Sequence, residues 1–354
     1  MKRVLVLRAL MLGDILCATP ALRALRAGLP GAEITLLALP WARGLAERLD
    51  SIDEFIEFPG WPGLPERPPD RPALSWLLAR LRARRFDLAI QLHGSGGITN
   101  PLLASFGARF NAGFCQPGAW TPAGDAKRFL HWPAQGSELE RLLALCDHLG
   151  LPRQGTALDF PLREPDRQEA ARLLGALAGR PYAIVHPGAQ LPSRRWPPAR
   201  FAAVADALAA RGLAIVLTGT ADEAPLTAAV GAALRAPALD LAGRTSLWSL
   251  GALIEGAALM ISNDTGVSHI AAALGRPSVV ISSGGDAARW SPADGALHRV
   301  LWQPRGCRPC AEPVCPYALD GHSACGLAIA SASVEREALR LLDARPPARE
   351  SRHA

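Results

Sequence analysis

Asp14 stands where an acidic side chain can take part in catalysis. It ends residues 8–14 (RALMLGD), which join a short apolar stretch to a longer one with helical spacing. This segment carries neither the G-x-G-x-x-G fingerprint of a dinucleotide site nor the Gly-Lys-Ser/Thr of a P-loop. An aspartate here can cap the helix or serve as a general base beyond a strand, and spacing alone leaves both interpretations open.

Two adjacent arginines lie in a second loop of chemical interest, residues 186–197 (HPGAQLPSRRWP). Arg194 and Arg195 can clamp phosphate oxygens through bidentate hydrogen bonds, and Gly188 lets the backbone turn closely beside a ligand. The loop follows a predicted strand, and ligands of open α/β sheets bind beyond strand ends. The alternative is a surface loop with two solvated guanidinium groups.

A third loop, residues 262–269 (SNDTGVSH), combines a strand end, a polar turn and a helix start. Free backbone N–H groups and the helix dipole make such a place an anion site. The alternative is that Asp264 or Thr265 only caps the helix and that His269 packs in the core. The presence of this loop and the arginine pair in one half of the chain favours a phosphorylated ligand there.

Asp222 and Glu223 follow another predicted strand of the same half. Their carboxylates can accept hydrogen bonds from ribose hydroxyls, or the two residues can simply begin the next helix.

Four cysteines lie close together near the C-terminus: Cys307, Cys310, Cys315 and Cys325, with His322 among them. Four thiols at such spacing in a cytosolic protein point to tetrahedral Zn²⁺ or iron more than to disulfides. A site with four protein ligands would be structural, and His322 can replace one thiol. Free thiols are the alternative.

The elements that must position these residues alternate between strand and helix patterns, which predicts an α/β protein with parallel, doubly wound sheets. The 354 residues suit two such lobes with a cleft between them. Residues 151–166, rich in proline and without helical period, are the predicted linker. The predicted organisation is an N-terminal lobe (1–160), a C-terminal lobe (167–330) with a cysteine-rich segment (305–326), a helix (331–343) and a disordered tail (344–354).

Composition narrows the class of protein. The formal net charge of +6 is modest, and nearly all basic residues are arginine, so a mixed solvated surface is favoured over a nucleic-acid footprint. No apolar run reaches about 18 residues, and the start lacks a signal peptide. The expected location is the cytoplasm, with possible peripheral contact at the inner membrane.

Taken together, the three loops resemble glycosyltransferase family 9, the ADP-heptose:lipopolysaccharide heptosyltransferases. The resemblance spans nearly the whole chain. It rests on Gly13-Asp14 followed by residues 18–23 (ATPALR), on residues 187–189 (PGA) with 194–197 (RRWP), and on residues 263–266 (NDTG) with His269. It implies a GT-B fold, with the nucleotide sugar bound by the C-terminal lobe and the acceptor by the N-terminal lobe.

The resemblance also assigns roles to single residues. Asp14 matches the proposed catalytic base, and Arg194 stands where the family usually has a lysine that contacts the donor diphosphate. Gly13 and His93 are expected on the acceptor side. Some related protein heptosyltransferases hold iron at a cysteine cluster like this one. The expected donor-binding residues are Gly188, Ala189, Arg194, Arg195, Asp222, Glu223, Asp264, Thr265, Gly266, Val267 and His269.

The implied reaction is an inverting transfer of heptose from ADP-heptose to a lipid-linked saccharide of the lipopolysaccharide inner core. It needs no catalytic metal, because cations and backbone dipoles can stabilise the leaving diphosphate. Alternatives are a nucleotide-sugar epimerase of the same shape, a transferase with another nucleotide sugar or a protein or glycan acceptor, and a binding protein without catalysis. A metal-dependent nucleic-acid binder ranks last.

Overall fold

The computed structural model of the protein describes residues 1–344, so the predicted tail lies, apart from Ala344, outside the described residues. The chain divides into two compact units between Pro161 and Leu162. This division falls inside the segment predicted as linker. The end of that segment is nevertheless helical, because Pro165 occupies the first turn of a helix and Asp166 accepts a hydrogen bond from the backbone N–H of Arg163 (2.7 Å).

The first unit contains a six-stranded parallel sheet in the order β3-β2-β1-β4-β5-β6. Its strands are β1 (Arg3–Leu7), β2 (Glu33–Ala38), β3 (Glu54–Glu57), β4 (Leu88–Gln91), β5 (Phe110–Cys115) and β6 (Phe129–His131). Its helices are α1 (Leu12–Gly28), α2 (Arg43–Ala46), α3 (Arg71–Arg84), α4 (Thr99–Ser105) and α5 (Glu138–His148). Central strands β1 and β4 are nearly fully buried, as expected for strands covered on both faces.

The second unit repeats this architecture in the order β12-β11-β10-β7-β8-β9, again all parallel. Its strands are β7 (Tyr182–His186), β8 (Ala214–Leu217), β9 (Ala238–Asp240), β10 (Leu259–Asn263), β11 (Ser278–Ile281) and β12 (His298–Leu301). Its helices are α6 (Glu164–Leu174), α7 (Pro198–Ala210), α8 (Ala224–Ala233), α9 (Leu247–Gly256), α10 (Gly266–Ala273), α11 (Ala287–Trp290), α12 (Ala324–Leu327) and α13 (Ser331–Asp343).

The C-terminal helix α13 belongs to the core of the second unit. Val334, Ala338 and Leu341 of this helix are buried in the same cluster as Trp196 and Phe201. Their spacing places them on one face of the helix. The helix is therefore an integral layer of the second sheet's packing.

The two sheets confirm the predicted α/β class with parallel, doubly wound sheets. In each sheet the chain starts at a central strand, builds one half outward, and returns to build the other half. The order reverses between β1 and β4 in the first unit and between β7 and β10 in the second. In such sheets ligands bind beyond the carboxyl ends of the strands at this switch point.

Within residues 1–344, none of the helices is both long and apolar enough to cross a membrane.

Candidate active site

Arg8 organises the loop between β1 and α1 at the first switch point. Its side chain is only 1% exposed, and its guanidinium donates to the backbone oxygen of Asp14 (Nη2–O 2.8 Å) and to that of Leu92 beyond β4. The same Nη2 lies 3.6 Å from Oδ1 of Asp14. Asp14 is the third residue of α1, so it is not the N-cap residue, which is Met11. The predicted base is therefore held at the carboxyl edge of the sheet.

The positive charge of Arg8 is balanced from helix α5. Glu138 accepts hydrogen bonds from Arg8 (Nη2–Oε1 3.0 Å) and from Arg141 (Nη1–Oε2 2.7 Å), and both Glu138 and Arg141 are buried. Arg141 also lies over the ring of Trp132 at 4.4 Å. Buried charges are tolerated only when paired in this way.

His93, predicted on the acceptor side, lies next to the same loop. Its Nδ1 accepts a hydrogen bond from the backbone N–H of Ala9 (3.2 Å), so a neutral ring carries its proton on Nε2. That nitrogen lies 3.5 Å from Oε1 of Glu66. Burial acts to raise the pKa of the Glu66 carboxyl, but hydrogen bonding to His93 and to its own backbone outweighs this and holds the pKa below its ordinary value. Gly13, also predicted here, is half-buried in the first turn of α1.

In the second unit, Gly188 follows β7 and lies directly against Glu223. A Cβ atom at Gly188 would lie 2.2 Å from Oε1 of Glu223, so a larger residue here requires the Glu223 carboxylate to move. Glu223 also accepts from the backbone N–H of Thr220 (2.9 Å). His186 donates or accepts a hydrogen bond with Thr218 (3.1 Å), and burial lowers its pKa against the opposing effect of Glu223. His186 is thus neutral at neutral pH.

Asn263 joins the two predicted donor loops at the second switch point. It is fully buried at the end of β10. Its amide nitrogen donates to the backbone oxygen of Pro187 (2.7 Å), and its amide oxygen accepts from the backbone N–H of Trp196 (3.1 Å). The loop that carries Ala189 and the arginine pair is therefore fixed beside the turn that begins at residue 263.

The turn itself has the geometry of an anion site. Thr265 is extended and acts as the N-cap residue of α10, whose first residues are Gly266 and Val267. Asp264 is half-buried and accepts a hydrogen bond from Ser282 (Oγ–Oδ2 3.0 Å), so it does not cap the helix in place of Thr265. His269 is 5% exposed, and its ring lies edge to face with Trp290 at 6.3 Å.

The two arginines of the donor loop point to different partners. Nε of Arg195 donates to the backbone oxygen of Ala189 (2.9 Å), which closes the loop on itself. Nη2 of Arg194 donates to the backbone oxygen of Cys310 (3.0 Å). Asp222 is exposed in a single 3₁₀ turn before α8, whereas Glu223 of the same turn faces Gly188.

The four cysteines of the C-terminal segment are free thiols that line one cavity of about 250 Å³. Burial raises the pKa of the Cys325 thiol. The described part of the chain nevertheless contains no group of three or more His, Cys, Asp or Glu side chains arranged to hold a metal ion. The four cysteines therefore share a cavity, but their side chains are not arranged as metal ligands. The predicted metal site has no direct support.

The sequence analysis assigned no role to several residues that shape these sites: Arg8, Glu66, Glu138, Asn263 and Ser282. Arg8 and Asn263 directly follow or end central strands, so their positions were a usable signal. In the sequence, Glu138 resembles the exposed acidic residues common in the first turn of a helix. Glu66 lies in a proline-rich loop. Their burial depends on tertiary packing that no local pattern reveals.

Comparison with known proteins identifies the family. The model of glycosyltransferase family 9 (heptosyltransferase) matches residues 76–319. Lipopolysaccharide heptosyltransferase 2 of Escherichia coli K12 is 30% identical over 292 residues, covering 79% of this chain and 82% of that protein. A family 9 glycosyltransferase of Veillonella parvula superimposes with a TM-score of 0.79 at 21% identity, covering 96% of this chain and 97% of that chain.

The structure of E. coli ADP-heptose lipopolysaccharide heptosyltransferase II superimposes with a TM-score of 0.74 at 24% identity, covering 97% of this chain and 98% of that chain. These likenesses confirm the predicted GT-B fold. The family model matches more than half of the chain. Asp14 precedes the matched residues, and Cys325 follows them. On this evidence the chain is a glycosyltransferase and belongs to glycosyltransferase family 9, the heptosyltransferase family.

Proposed function

We propose that this chain transfers a heptose from ADP-heptose to a lipid-linked saccharide of the lipopolysaccharide inner core, with inversion at the anomeric carbon. Family membership and relatives named lipopolysaccharide heptosyltransferases support the substrates. The observation that carries the catalytic part is the carboxylate of Asp14, held at the first switch point by a buried arginine. That is the place where an α/β sheet presents a ligand-binding residue.

In this proposal Asp14 removes the proton from the acceptor hydroxyl, which attacks the anomeric carbon from the face opposite the nucleotide. Arg8 orients the carboxylate through its contacts with Oδ1 and with the backbone oxygen of the same residue. His93 and Gly13 lie on the acceptor side. The transition state resembles an oxocarbenium ion, so catalysis consists of proton removal and of stabilising the departing diphosphate.

The donor diphosphate binds in the second unit. Arg194 and Arg195 supply positive charge, and the free backbone N–H groups of Thr265 and Gly266 at the start of α10 supply dipoles. Asn263 supports this proposal because it fixes the arginine loop beside that turn. Glu223 and the exposed Asp222 are assigned to hydroxyl groups of the nucleotide. No step requires a divalent cation.

The test is a nucleotide-release assay with ADP-heptose, with and without a deacylated Kdo–lipid A acceptor. Release is expected only when both substrates are present. Asp14→Asn should lower turnover by at least about a hundredfold, the usual contribution of a general base, while ADP still binds. The exposed Asp50 provides a control, and Asp50→Asn should keep wild-type turnover. Equal release with and without acceptor would contradict transfer.

We also propose that the four cysteines bind one structural Zn²⁺ or iron ion. Four free thiols around a common cavity support this, since thiolates are ligands that both metals accept. The bound ion would cross-link an otherwise irregular segment, with His322 as an alternative ligand. Elemental analysis should find about one metal per chain, and Cys310→Ser should lower that content. A stably folded, metal-free preparation would rule the site out.

We propose that the enzyme acts at the cytoplasmic face of the inner membrane, where a lipid-linked acceptor is presented. The net charge of +6 supports weak attraction to anionic lipid. Flotation with vesicles that contain phosphatidylglycerol, compared with vesicles of phosphatidylcholine alone, tests this. Salt-sensitive binding to the anionic vesicles is expected, and equal recovery with both would contradict it.

A further inference from the structure

We propose that Arg308, in the cysteine-rich segment, is a positioning residue for the nucleotide-sugar site: it orients Asp264 through Ser282 and keeps the donor loops in place. The inference rests on the proposed function of the donor loops. It does not require a metal at the cysteines.

The guanidinium of Arg308 makes three hydrogen bonds with the loop after β11. Nη1 donates to the backbone oxygen of Ser282 (2.8 Å), and Nη2 donates to Oγ of Ser282 (3.2 Å) and to the backbone oxygen of Gly285 (2.6 Å). Ser282 is fully buried. Arg308 itself is half-buried. Its contact is specific because guanidinium geometry is fixed and a lysine cannot reproduce it.

These hydrogen bonds determine the direction in which the Ser282 hydroxyl donates its proton. A serine hydroxyl has one proton to donate and lone pairs to accept. Since Arg308 donates to the oxygen, the hydroxyl proton is directed elsewhere, and Oγ lies 3.0 Å from Oδ2 of Asp264. Asp264 is thereby fixed at the mouth of the turn that starts α10. Without Arg308 the hydroxyl is free to rotate toward another acceptor.

The cysteine-rich segment also forms hydrogen bonds with the loop that carries Arg194 and Arg195. The backbone N–H of Ser193 donates to the oxygen of Pro313 (3.1 Å), and its hydroxyl donates to the oxygen of Glu312 (2.5 Å). Arg194 donates to the oxygen of Cys310, whose own N–H donates to Gly284 (2.8 Å). Residues 308–313 thus contact the arginine loop and the loop after β11, and Arg308 reaches Asp264 of the turn through Ser282.

The segment has little regular structure of its own. Across residues 302–323 the structure contains only turns, bends and one isolated bridge between Leu319 and His322. Its conformation therefore depends on contacts such as those of Arg308.

The experiment measures ADP binding by calorimetry and steady-state kinetics on the full chain. Arg308→Gln should weaken ADP binding about tenfold, the effect of losing a charged hydrogen-bond partner, with the KM for the acceptor unchanged. Arg308→Lys should recover only part of this loss. Arg305→Gln is the matched control, since Arg305 is exposed in the same segment and makes one long bond to Ala324 (3.3 Å).

Ser282→Ala should weaken ADP binding in the same direction, and the double variant should lose less than the sum of the two single losses, because both act on Asp264. Wild-type ADP affinity in folded Arg308→Gln, or additive losses in the double variant, overturns the inference. If Arg308→Gln does not fold, Arg308→Lys and Ser282→Ala decide the matter alone. Failure of the wild-type chain to bind ADP counts against the proposed donor instead.

Discussion

Asp14 is one member of a group of four charges that joins the loop before α1 to helix α5 of the first unit. Arg8 contacts Asp14 and Glu138, and Glu138 also contacts Arg141. The two positive and two negative charges balance each other, and three of the four residues are buried. The group is therefore neutral as a whole, with the half-buried Asp14 supplying the second negative charge. The same pairing makes each member costly to remove.

Removing Glu138 should destabilise the first unit strongly. Glu138→Ala leaves the guanidinium groups of Arg8 and Arg141 buried without their shared partner, which costs about 3–5 kcal/mol of unfolding free energy. Urea unfolding measures this loss. Glu140→Ala, two positions along the same helix, removes an exposed ion pair with Arg153 and should cost under about 1 kcal/mol. Similar losses for both variants would contradict the assignment.

Substitution of Gly188 should be costly because of its contact with Glu223. A methyl group at Gly188 would overlap the carboxylate, so Gly188→Ala should displace the loop, cost about 1–3 kcal/mol of stability and weaken ADP binding. Glu223→Ala in the same chain should relieve the clash and restore part of the stability. Gly295→Ala is the control, since no atom lies within 4 Å of its Cβ position. Unchanged stability in Gly188→Ala would show that the carboxylate moves freely.

At the scale of elements, sequence patterns predicted the central strands and the helices well. Apolar runs bounded by turn residues predict strands at residues 3–7 and 182–186 and a helix at 247–256, and β1, β7 and α9 have these bounds. The analysis missed β5, β6, β9, β12, α4, α6, α11 and α12. Of these, β6, β9 and β12 are edge strands and α11 and α12 have four residues each, whereas β5 is an inner strand and α6 begins inside the predicted linker. β9 is three residues long and mostly exposed, so it has no hydrophobic pattern to recognise.

The positions of the candidate site loops at the sheet edges were also predictable from the sequence. Motifs that follow central strands reach the carboxyl edge of the sheet whatever the details of packing. Contacts between loops were not predictable. The bond from Asn263 to Trp196 and the contact of Arg308 with Ser282 join residues far apart in sequence. Only tertiary structure brings such residues together.

A buried histidine in β12, His298, predicts that stability depends on pH. His298 lies buried beside Ser278 (Nδ1–Oγ 2.8 Å), and burial lowers its pKa to about 4, with Asp294 opposing and His269 assisting. In the unfolded chain the pKa is near 6.5. Above pH 6.5 the histidine is neutral in both states, so stability is complete. As pH falls from 6.5 to 4, only the unfolded chain gains the proton, and stability is lost.

The loss assigned to His298 is about 2 kcal/mol at pH 5 and reaches about 3 kcal/mol once the pH has fallen below 4. Chemical unfolding at pH 7.5 and at pH 5 should therefore show lower stability at pH 5 for the wild type. His298→Gln should have a smaller difference between the two pH values, although His186, whose pKa is also lowered by burial, keeps part of it. An equal pH dependence in the variant would exclude His298 as a cause.

At the scale of the whole molecule, the two units have the same strand order and different loops. Each has its own buried core, with Leu5 and Phe58 among the residues of one and Trp196 and Phe201 among those of the other. Each places its candidate residues at its own switch point. In the proposed function the first unit binds the acceptor and the second binds the donor, and the loops rather than the sheets account for this difference.

This division of tasks predicts that nucleotide binding is a property of the second unit alone. A fragment of residues 162–354 contains both donor loops, the cysteine-rich segment and helix α13, whose buried residues complete its core. It should fold and bind ADP with about the affinity of the full chain, as measured by calorimetry, but release no nucleotide with acceptor because Asp14 is missing. Arg194→Ala in the fragment should weaken the binding, since it removes a proposed diphosphate contact. A folded fragment that does not bind ADP, beside a full chain that does, would mean that the first unit contributes contacts to the nucleotide.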